Sequence, residues 1–477
     1  MVGRNIVEER NLLIIGGGPA GYIAAIRAAQ LGGKITLVEY DTLGGTCLNR
    51  GCVPSKCLLH NVELYQSMQE AGQYGINATG VNIDLAKMMA RKNAVISTHV
   101  SGVQNLLKAN KIEVIKGRAE LTPSRQVAID DGQGQKQIIQ AQKIILATGA
   151  KPITLPIPGA DSPSGIIDAE SVLNLDYIPK SLLMIGGGVI GVEMTTILAK
   201  LGCQVSIVEM LPHILPLEDA ELTAILSKAL KDDGVQVYEG TKVSQIEDAG
   251  NGKTVTISDG EGEKKLEVEV VAIAVGYRPN TDGIGLEETG VTSDKGAIQV
   301  NEHLETDAPD IYAAGDVIGG MMLAYVAMEE GIVAAENALG RNLTIDYQAV
   351  PKCTFSLPEL ASVGLTSAEA VAQEYQIQVG RFPFAANSMA TILGERRGLV
   401  KIVTELKYGQ ILGVHIIGPR ATDLIAEATL AMKLEVTPHD IVTTLHSHPS
   451  LSEALHEATL DITGETRHYP SQNRPAT

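Results

Sequence analysis

No apolar run in this chain reaches the roughly 18 residues that a helical membrane span requires, so no membrane span is expected. Basic side chains are in deficit: 38 Lys and Arg stand against 56 Asp and Glu, a net charge of −18. A nucleic-acid binder needs a basic face, so nucleic acid is not expected as a partner. Cysteine is scarce and odd in number, at Cys47, Cys52, Cys57, Cys203 and Cys353. An odd count in a long chain argues against a structural disulfide framework, and any pair that bridges is expected to be catalytic. The chain shows no low-complexity linker. Its opening stretch MVGRNIVEER runs directly into a glycine motif, so no secretory leader is expected in it.

What is present is length and glycine. The 477 residues, 44% hydrophobic and 20% charged, suit a globular chain of roughly two to four domains. Two glycine-rich stretches repeat 170 positions apart: LLIIGGGPAG at 12–21 and SLLMIGGGVIGVE at 181–193. Each is an apolar strand, a glycine turn and a helical stretch. Each is followed by a β-branched strand ending in Glu, KITLVE at Glu39 and QVSIVE at Glu209. This is the βαβ dinucleotide-binding unit written twice. Between the two lie a helix over about 84–109, a polar hairpin region over about 111–142 and the strand IILATG over 144–149. Polar turns at about 250–264 precede the strand VVAIAVG (270–276). From about 350 the pattern changes to strands LVKIVTE and ILGVHIIG, then helices ATDLIAEATLAMKLE and SEALHEATLDIT. The tail HYPSQNRPAT reads as disordered. The fold class is therefore α/β, with two Rossmann-like dinucleotide-binding domains and a C-terminal α+β domain.

In the first motif, Gly16 permits a tight strand-to-helix turn, Gly18 lets a pyrophosphate approach the backbone, and Gly21 lets helix and strand pack closely. Glu39, 18 residues beyond Gly21, would accept a ribose hydroxyl. Gly186, Gly188, Gly191 and Glu209 repeat the arrangement. An acid at 209 repels a 2′-phosphate, which points to NAD rather than NADP; the plainer alternative is a solvated strand end. Cys47 and Cys52 sit in GGTCLNRGCVPSK. Five residues apart on a regular helix they would point about 140° apart, too far for a bridge. Pro54, which removes a donor and clashes with the Arg50 carbonyl, and the flexible Gly51 supply a distortion where a bridge needs one. A strained, accessible disulfide is the labile, catalytic kind. A zinc site is the alternative, weakened because no second Cys or His pair at ligand spacing lies nearby.

GGTCLNRGCVPSK resembles the redox-active signature of the pyridine nucleotide–disulfide oxidoreductases. Further landmarks run from 12 to about 460: the ATG at 147–149, VGYRPN, TDAPDIYAAGDV and HSHPSLSEA. Within that family the motifs most resemble the dihydrolipoamide dehydrogenases. The resemblance implies an FAD site formed by Gly16, Gly18, Gly21, Glu39, Thr46, Lys56, Ala119, Thr148, Gly149 and Asp316, with Met322, Leu323, Ala324 and Tyr325 near the flavin ring. It implies an NAD site at Gly186, Gly188, Gly191, Glu193, Glu209, Val243 and Gly276. Cys52 matches the thiol that exchanges electrons with the flavin, and Cys47 the thiol that exchanges with substrate. Lys56 and Glu193 match an ion pair beside the flavin. His448 and Glu453 match an acid–base pair, apt because thiol–disulfide exchange needs a proton acceptor near neutral pH. No metal is implied.

Two positions depart from the family pattern: Tyr325 stands where many members have His, and Ser450 where Thr is common. Cys57, Cys203 and Cys353 read as core thiols, His456 as a surface residue, and His446 as structural. The alternatives are sibling reductases. Glutathione reductase-like enzymes show basic residues and Ala where this chain has Glu209 and Gly191, and lack the first His of HSHP. Mercuric reductase-like enzymes carry a C-terminal cysteine pair, and no cysteine here follows Cys353. A subunit that mainly organises a multienzyme complex is the reading from another class. The resemblance implies domains at 1–150 (FAD), 151–275 (NAD), 276–346 (central) and 347–477 (interface). It also implies a homodimer that serves lipoyl domains and the acyltransferase core of 2-oxo acid dehydrogenase complexes. The expected compartment is the cytoplasm, or the mitochondrial matrix if a transit peptide has been removed.

Overall fold

The protein is described by a computed structural model covering residues 9–134, 136–162 and 164–471, so residues 472–477 of the polar tail lie outside the described part. The chain forms two compact units. One comprises 1–61, 84–153 and 276–345, and the other 62–83, 154–275 and 346–477.

In the first unit the strand Glu9–Ile15 is the centre of a sheet, parallel to Ile35–Glu39 on one side and to Lys136–Leu146 on the other. Its residues Leu12 to Ile15 are all buried because both sheet faces are covered. Leu12 and Ile14 pack with Ala24, Ala25 and Ala28 of the helix Pro19–Gln30, whereas Leu13 and Ile15 pack on the opposite face with Leu121 and Val127. Each such side chain contributes about 1.5–3 kcal/mol. The helix Ala324–Ala338 lies against Pro19–Gln30 so closely that a Cβ on Gly331 would come within 2.3 Å of the Ala20 carbonyl oxygen.

The expected helix over 84–109 is Leu85–Ala109, capped by Asp84, whose side chain accepts from Lys87 N. The region expected as a polar hairpin over 111–142 differs. Its first strand, Glu113–Lys116, is a parallel member of the main sheet beside Ile35–Glu39. Arg118–Thr122 and Gln126–Asp130 form an antiparallel ribbon that runs into Lys136–Leu146. One long strand thus joins the ribbon to the parallel sheet, and the strand expected over 144–149 stops at Leu146, leaving Thr148 and Gly149 in a turn.

The second unit repeats the plan. Five parallel strands run in the order Gln236–Tyr238, Gln204–Val208, Ser181–Ile185, Val270–Ile273, Ile166–Asp168. The polar stretch expected as turns over 250–264 contains the strand Gly252–Ser258, the centre of an antiparallel meander with Lys242–Ala249 and Glu263–Val268. Its buried Val255 and Ile257 alternate with polar residues, and buried Lys253 donates to Ser162 Oγ at 2.8 Å. A separate antiparallel sheet orders Lys352–Thr354, Glu359–Gly364, Ile411–Gly418, Leu399–Glu405 and Ile377–Pro383. The expected strands are Leu399–Glu405 and Ile411–Gly418; the other three carry no clean apolar alternation. Helices Ala421–Lys433 and Glu453–Thr463 cover this sheet through Ile425, Ala428, Leu455 and Ala458.

A buried ion pair ties this sheet to the helix Ala220–Asp232. Lys401 Nζ donates to both Asp219 oxygens at 2.8 Å, and both side chains are 5% exposed. Burial alone would raise the Asp219 carboxyl, but the Lys401 ammonium outweighs it and holds the group below its ordinary value. Asp219→Ala should cost about 3 kcal/mol by leaving the Lys401 charge poorly compensated. Because the folded-state value is depressed, the pair's contribution is complete above the ordinary aspartate range and is lost as pH falls through the lowered value. Thermal unfolding should therefore show the gap between wild type and variant at pH 7 closing below about pH 4.

Candidate active site

The two glycine turns are built alike. Gly16 (φ 106°) and Gly186 (φ 108°) hold backbone conformations that favour glycine. A Cβ there would lie 2.2 Å from the Ala147 oxygen or 2.4 Å from the Ala274 oxygen. Gly21 and Gly191 permit the close helix–turn approach: a Cβ would meet the Gly16 oxygen at 1.8 Å or the Gly186 oxygen at 2.0 Å. Glu39 Oε2 accepts from Gly17 N at 2.6 Å and Glu209 Oε2 from Gly187 N at 2.7 Å. Their second oxygens accept from Asp41 N at 2.6 Å and Leu211 N at 2.8 Å. Both carboxylates are 8% exposed, so Glu209 is no solvated strand end.

Gly18 and Gly188 differ from their neighbours. Their φ values, −71° and −72°, suit any residue. A Cβ on Gly188 would meet open space, and one on Gly18 only an ordinary contact at 3.8 Å. Having no side chain, they leave the first turn of each helix without a side-chain cap. That is the arrangement a pyrophosphate fits: uncapped backbone donors, a positive helix end, and no side chain in the way.

The segment expected to be redox-active sits directly on the first turn. Gly44 N donates to Gly17 O at 2.8 Å, and a Cβ on Gly45 (φ 57°) would approach Gly18 Cα to 2.7 Å. The short helix Gly45–Asn49 carries Thr46 and Cys47; the chain breaks at Arg50–Gly51, and the helix Cys52–Gln69 begins. The break falls where Pro54 and Gly51 led one to expect it. Arg50 is anchored by Asp41, and Asn49 Nδ2 donates to Gly45 O at 2.9 Å. Cys47 and Cys52 are both thiols here, the first half-buried and the second exposed. The Cys47 thiol is pushed up, first by its hydrogen bond with Cys52, then by burial and the field of Cys52. Lys56 opposes this and Asp316 reinforces it. Burial and then Cys47 raise the Tyr22 phenol, so Tyr22, Cys47, Cys52, Lys56 and Asp316 share one electrostatic neighbourhood. Burial lifts the Asp316 carboxyl above its ordinary range.

Other expected residues of the first unit gather on the same sheet edge and turns. Gly117 N donates to Glu39 O at 3.0 Å, bringing buried Ala119 beside the end of that strand. Thr148 Oγ1 donates to Asn280 O at 2.8 Å, and Asn280 N to Gly149 O at 2.9 Å. Asn280 is thus a turn-closing residue that sequence reasoning passed over. Met322 (φ 50°) and Leu323 lead into the helix that starts at Ala324, and Tyr325 is 42% exposed. Gly276 (φ 113°) also belongs to the first unit.

In the second unit, Glu193 is buried in the helix Val189–Lys200, and its Oε1 accepts from Phe355 N at 3.0 Å. Val243 is half-buried at a register shift in the strand Lys242–Ala249. His448 and Glu453 are paired as expected: Nδ1 lies 2.8 Å from Glu453 Oε1, and Oε2 accepts from Ser450 N at 2.8 Å. Burial favours a raised Glu453 carboxyl, but the His448 and Ser450 bonds outweigh it and hold the group low. The Glu453 helix is seated by Arg381 N donating to Asp461 Oδ2 at 2.9 Å, and a Cβ on Gly380 would lie 2.0 Å from the Ala458 oxygen. His448 is 67% exposed, leaving Nε2 free of the Glu453 contact. His446, by contrast, is 7% exposed and bonded to Glu427. His456, expected at the surface, is half-buried and bonded to Val442 O at 3.1 Å. Of the three expected core thiols Cys203 is buried, while Cys57 and Cys353 are half-buried.

Among the described residues no helix is long and apolar enough to cross a membrane. Residues 10–331 match the family model for pyridine nucleotide-disulphide oxidoreductases, and 350–459 match the dimerisation domain of that family. The chain is 41% identical to a dihydrolipoyl dehydrogenase of Bacillus subtilis over 97% of this chain and 100% of that one. It is 42% identical to the dihydrolipoyl dehydrogenase of Thermus scotoductus, over 95% and 97%. The solved structure of LpdA from Mycobacterium tuberculosis superposes with a TM-score of 0.87 at 30% identity, over 94% of this chain and 99% of that one. With two thiols seated on a dinucleotide turn, and these matches along nearly its whole length, the chain belongs to the pyridine nucleotide–disulphide oxidoreductase family.

Proposed function

We propose that this chain is an NAD-dependent dihydrolipoyl dehydrogenase, which oxidises protein-bound dihydrolipoyl groups and reduces NAD⁺ to NADH. One observation carries the reading: the Cys47–Cys52 pair is packed through Gly45 onto the Gly18 turn, so a redox couple and a dinucleotide cradle form one site. FAD, when bound, supplies the two-electron relay between the thiols and NAD⁺. The FAD residues are those of the first glycine motif with Glu39, Thr46, Lys56, Ala119, Thr148, Gly149, Asp316 and 322–325. The NAD residues are the second motif with Glu193, Glu209, Val243 and Gly276.

In the oxidised protein Cys47 and Cys52 form a disulfide. A substrate thiolate attacks Cys47 and expels Cys52 as a thiolate, and the second substrate thiol then attacks the mixed disulfide, closing the lipoyl disulfide and expelling Cys47. His448 takes the substrate proton at Nε2, because Nδ1–H donates to Glu453 and fixes that tautomer. The net change is dihydrolipoyl plus NAD⁺ to lipoyl plus NADH plus H⁺. The family's dimerisation domain supports a homodimer, divided into FAD (1–150), NAD (151–275), central (276–346) and interface (347–477) domains. Lipoyl domains and the acyltransferase core of 2-oxo acid dehydrogenase complexes are the proposed partners, and the cytoplasm the proposed compartment.

Steady-state assays should show turnover of dihydrolipoamide with NAD⁺ and none of glutathione disulfide with NADPH; the opposite preference would overturn the reading. Gly188→Ala should keep the wild-type melting temperature yet weaken NAD binding by about tenfold, about 1.4 kcal/mol, as read by calorimetric titration. Gly191→Ala should instead lower the melting temperature, since its Cβ meets backbone. A shared site makes a third test. Cys47→Ser and His448→Ala should each nearly abolish turnover. After joint unfolding and reassembly about half the dimers are hybrids with one intact site, restoring about a quarter of wild-type activity. No recovery, with hybrids confirmed, would place His448 in its own subunit's site.

A further inference from the structure

A second carboxylate–histidine pair stands in the loop that carries His448. His446 Nε2 lies 2.8 Å from Glu427 Oε1, on the helix Ala421–Lys433, and Nδ1 lies 3.1 Å from the Thr444 carbonyl oxygen. Both partners are acceptors only. A neutral imidazole has a single N–H and cannot serve both. The doubly protonated ring serves both at once. The ring also lies against His456 of the helix Glu453–Thr463, with centroids 5.2 Å apart at 48°. His456 spends its Nε2–H on Val442 O. Among the described residues, the titratable groups given against the His446 ring are the Glu427 carboxylate on one side and the His456 ring on the other. Beyond His448, the loop is held again by Ser450 N to Glu453 and by Asn387 Nδ2 donating to Ser450 O at 3.0 Å.

We propose that His446 is held as an imidazolium by Glu427 and Thr444, and that this fixed ion pair is a positioning device which anchors the N-terminal side of the loop so that His448 meets the reacting thiols. His446 itself transfers no proton: both its N–H groups are committed. The positioning role rests on the reading of His448 as the acid–base residue. The protonation state does not.

Glu427→Gln keeps an acceptor oxygen at the same place and removes the charge that holds the second proton. Without the carboxylate charge, His446 in this variant should no longer hold both protons as pH rises. The deficit in kcat for dihydrolipoamide should thus be small at pH 6 and grow to about tenfold by pH 9. NADH oxidation by ferricyanide, which bypasses the thiols and His448, is the control for a general loss of structure. A deficit equal at every pH would reduce the pair to a packing contact, and no deficit at any pH would overturn the proposal. Selective ¹⁵N-histidine labelling reads the charge directly. Both His446 nitrogens should be of protonated type at pH 8 in the wild type and not in Glu427→Gln. A neutral His446 in the wild type would overturn the proposal. If the wild type does not oxidise dihydrolipoamide at all, the functional reading above fails while the nitrogen spectra still decide the charge.

Discussion

The carboxylate that closes each glycine turn is the constraint on which both nucleotide-binding units rest. At the end of the second strand, Glu39 or Glu209 receives the N–H of the middle glycine with one oxygen and a backbone N–H two residues on with the other. Charge-assisted bonds of this kind are roughly twice as strong as neutral ones. They fix the turn relative to the neighbouring strand, and the turn fixes the helix. In the first unit the same turn then becomes the floor for the redox segment, because Gly44 and Gly45 sit against Gly17 and Gly18. The segment that carries Cys47 and Cys52 is seated by this glycine contact.

The redox pair and its electrostatics make sense in that frame. A thiol hydrogen-bonded to a second thiol and partly buried holds its proton tightly, and Lys56 is the cation that works against this. The His448–Glu453 pair, proposed as the acid–base pair, is built on another principle. His448 is exposed, but its partner Glu453 begins a helix seated on a five-stranded sheet by Arg381, Asp461 and Gly380. A rigid element thus orients a group that must remain accessible.

Much of this was legible in the chain itself. The glycine motifs, the strand-terminal acids and the Cys-x₄-Cys break announce themselves because local sequence determines them: positive φ, close backbone approach and a proline near a helix start. Leu399–Glu405 and Ile411–Gly418 were legible because they are long apolar runs. Glu113–Lys116 was not, since only its pairing with Ile35–Glu39 makes it a sheet member. Gly252–Ser258 was hidden by its lysine and threonines, and the partner of Lys253, Ser162, is distant in sequence. The His446–Glu427 pair joins residues 19 apart through tertiary structure, and no spacing rule reports it. Glu209 was read as a ribose acceptor on position alone; its two backbone bonds add a structural duty that the sequence could not display.

That double duty bears on how such a protein can change over evolutionary time. A lineage moving from a ribose hydroxyl to a ribose phosphate would ordinarily discard the acid at 209 in favour of a base. Here the same substitution also unties Gly187 and Leu211 and loosens the turn that leads into the helix Val189–Lys200. Drift toward the other nucleotide therefore passes through intermediates that hold neither ligand well. The acid at 209 holds the turn whichever nucleotide is bound.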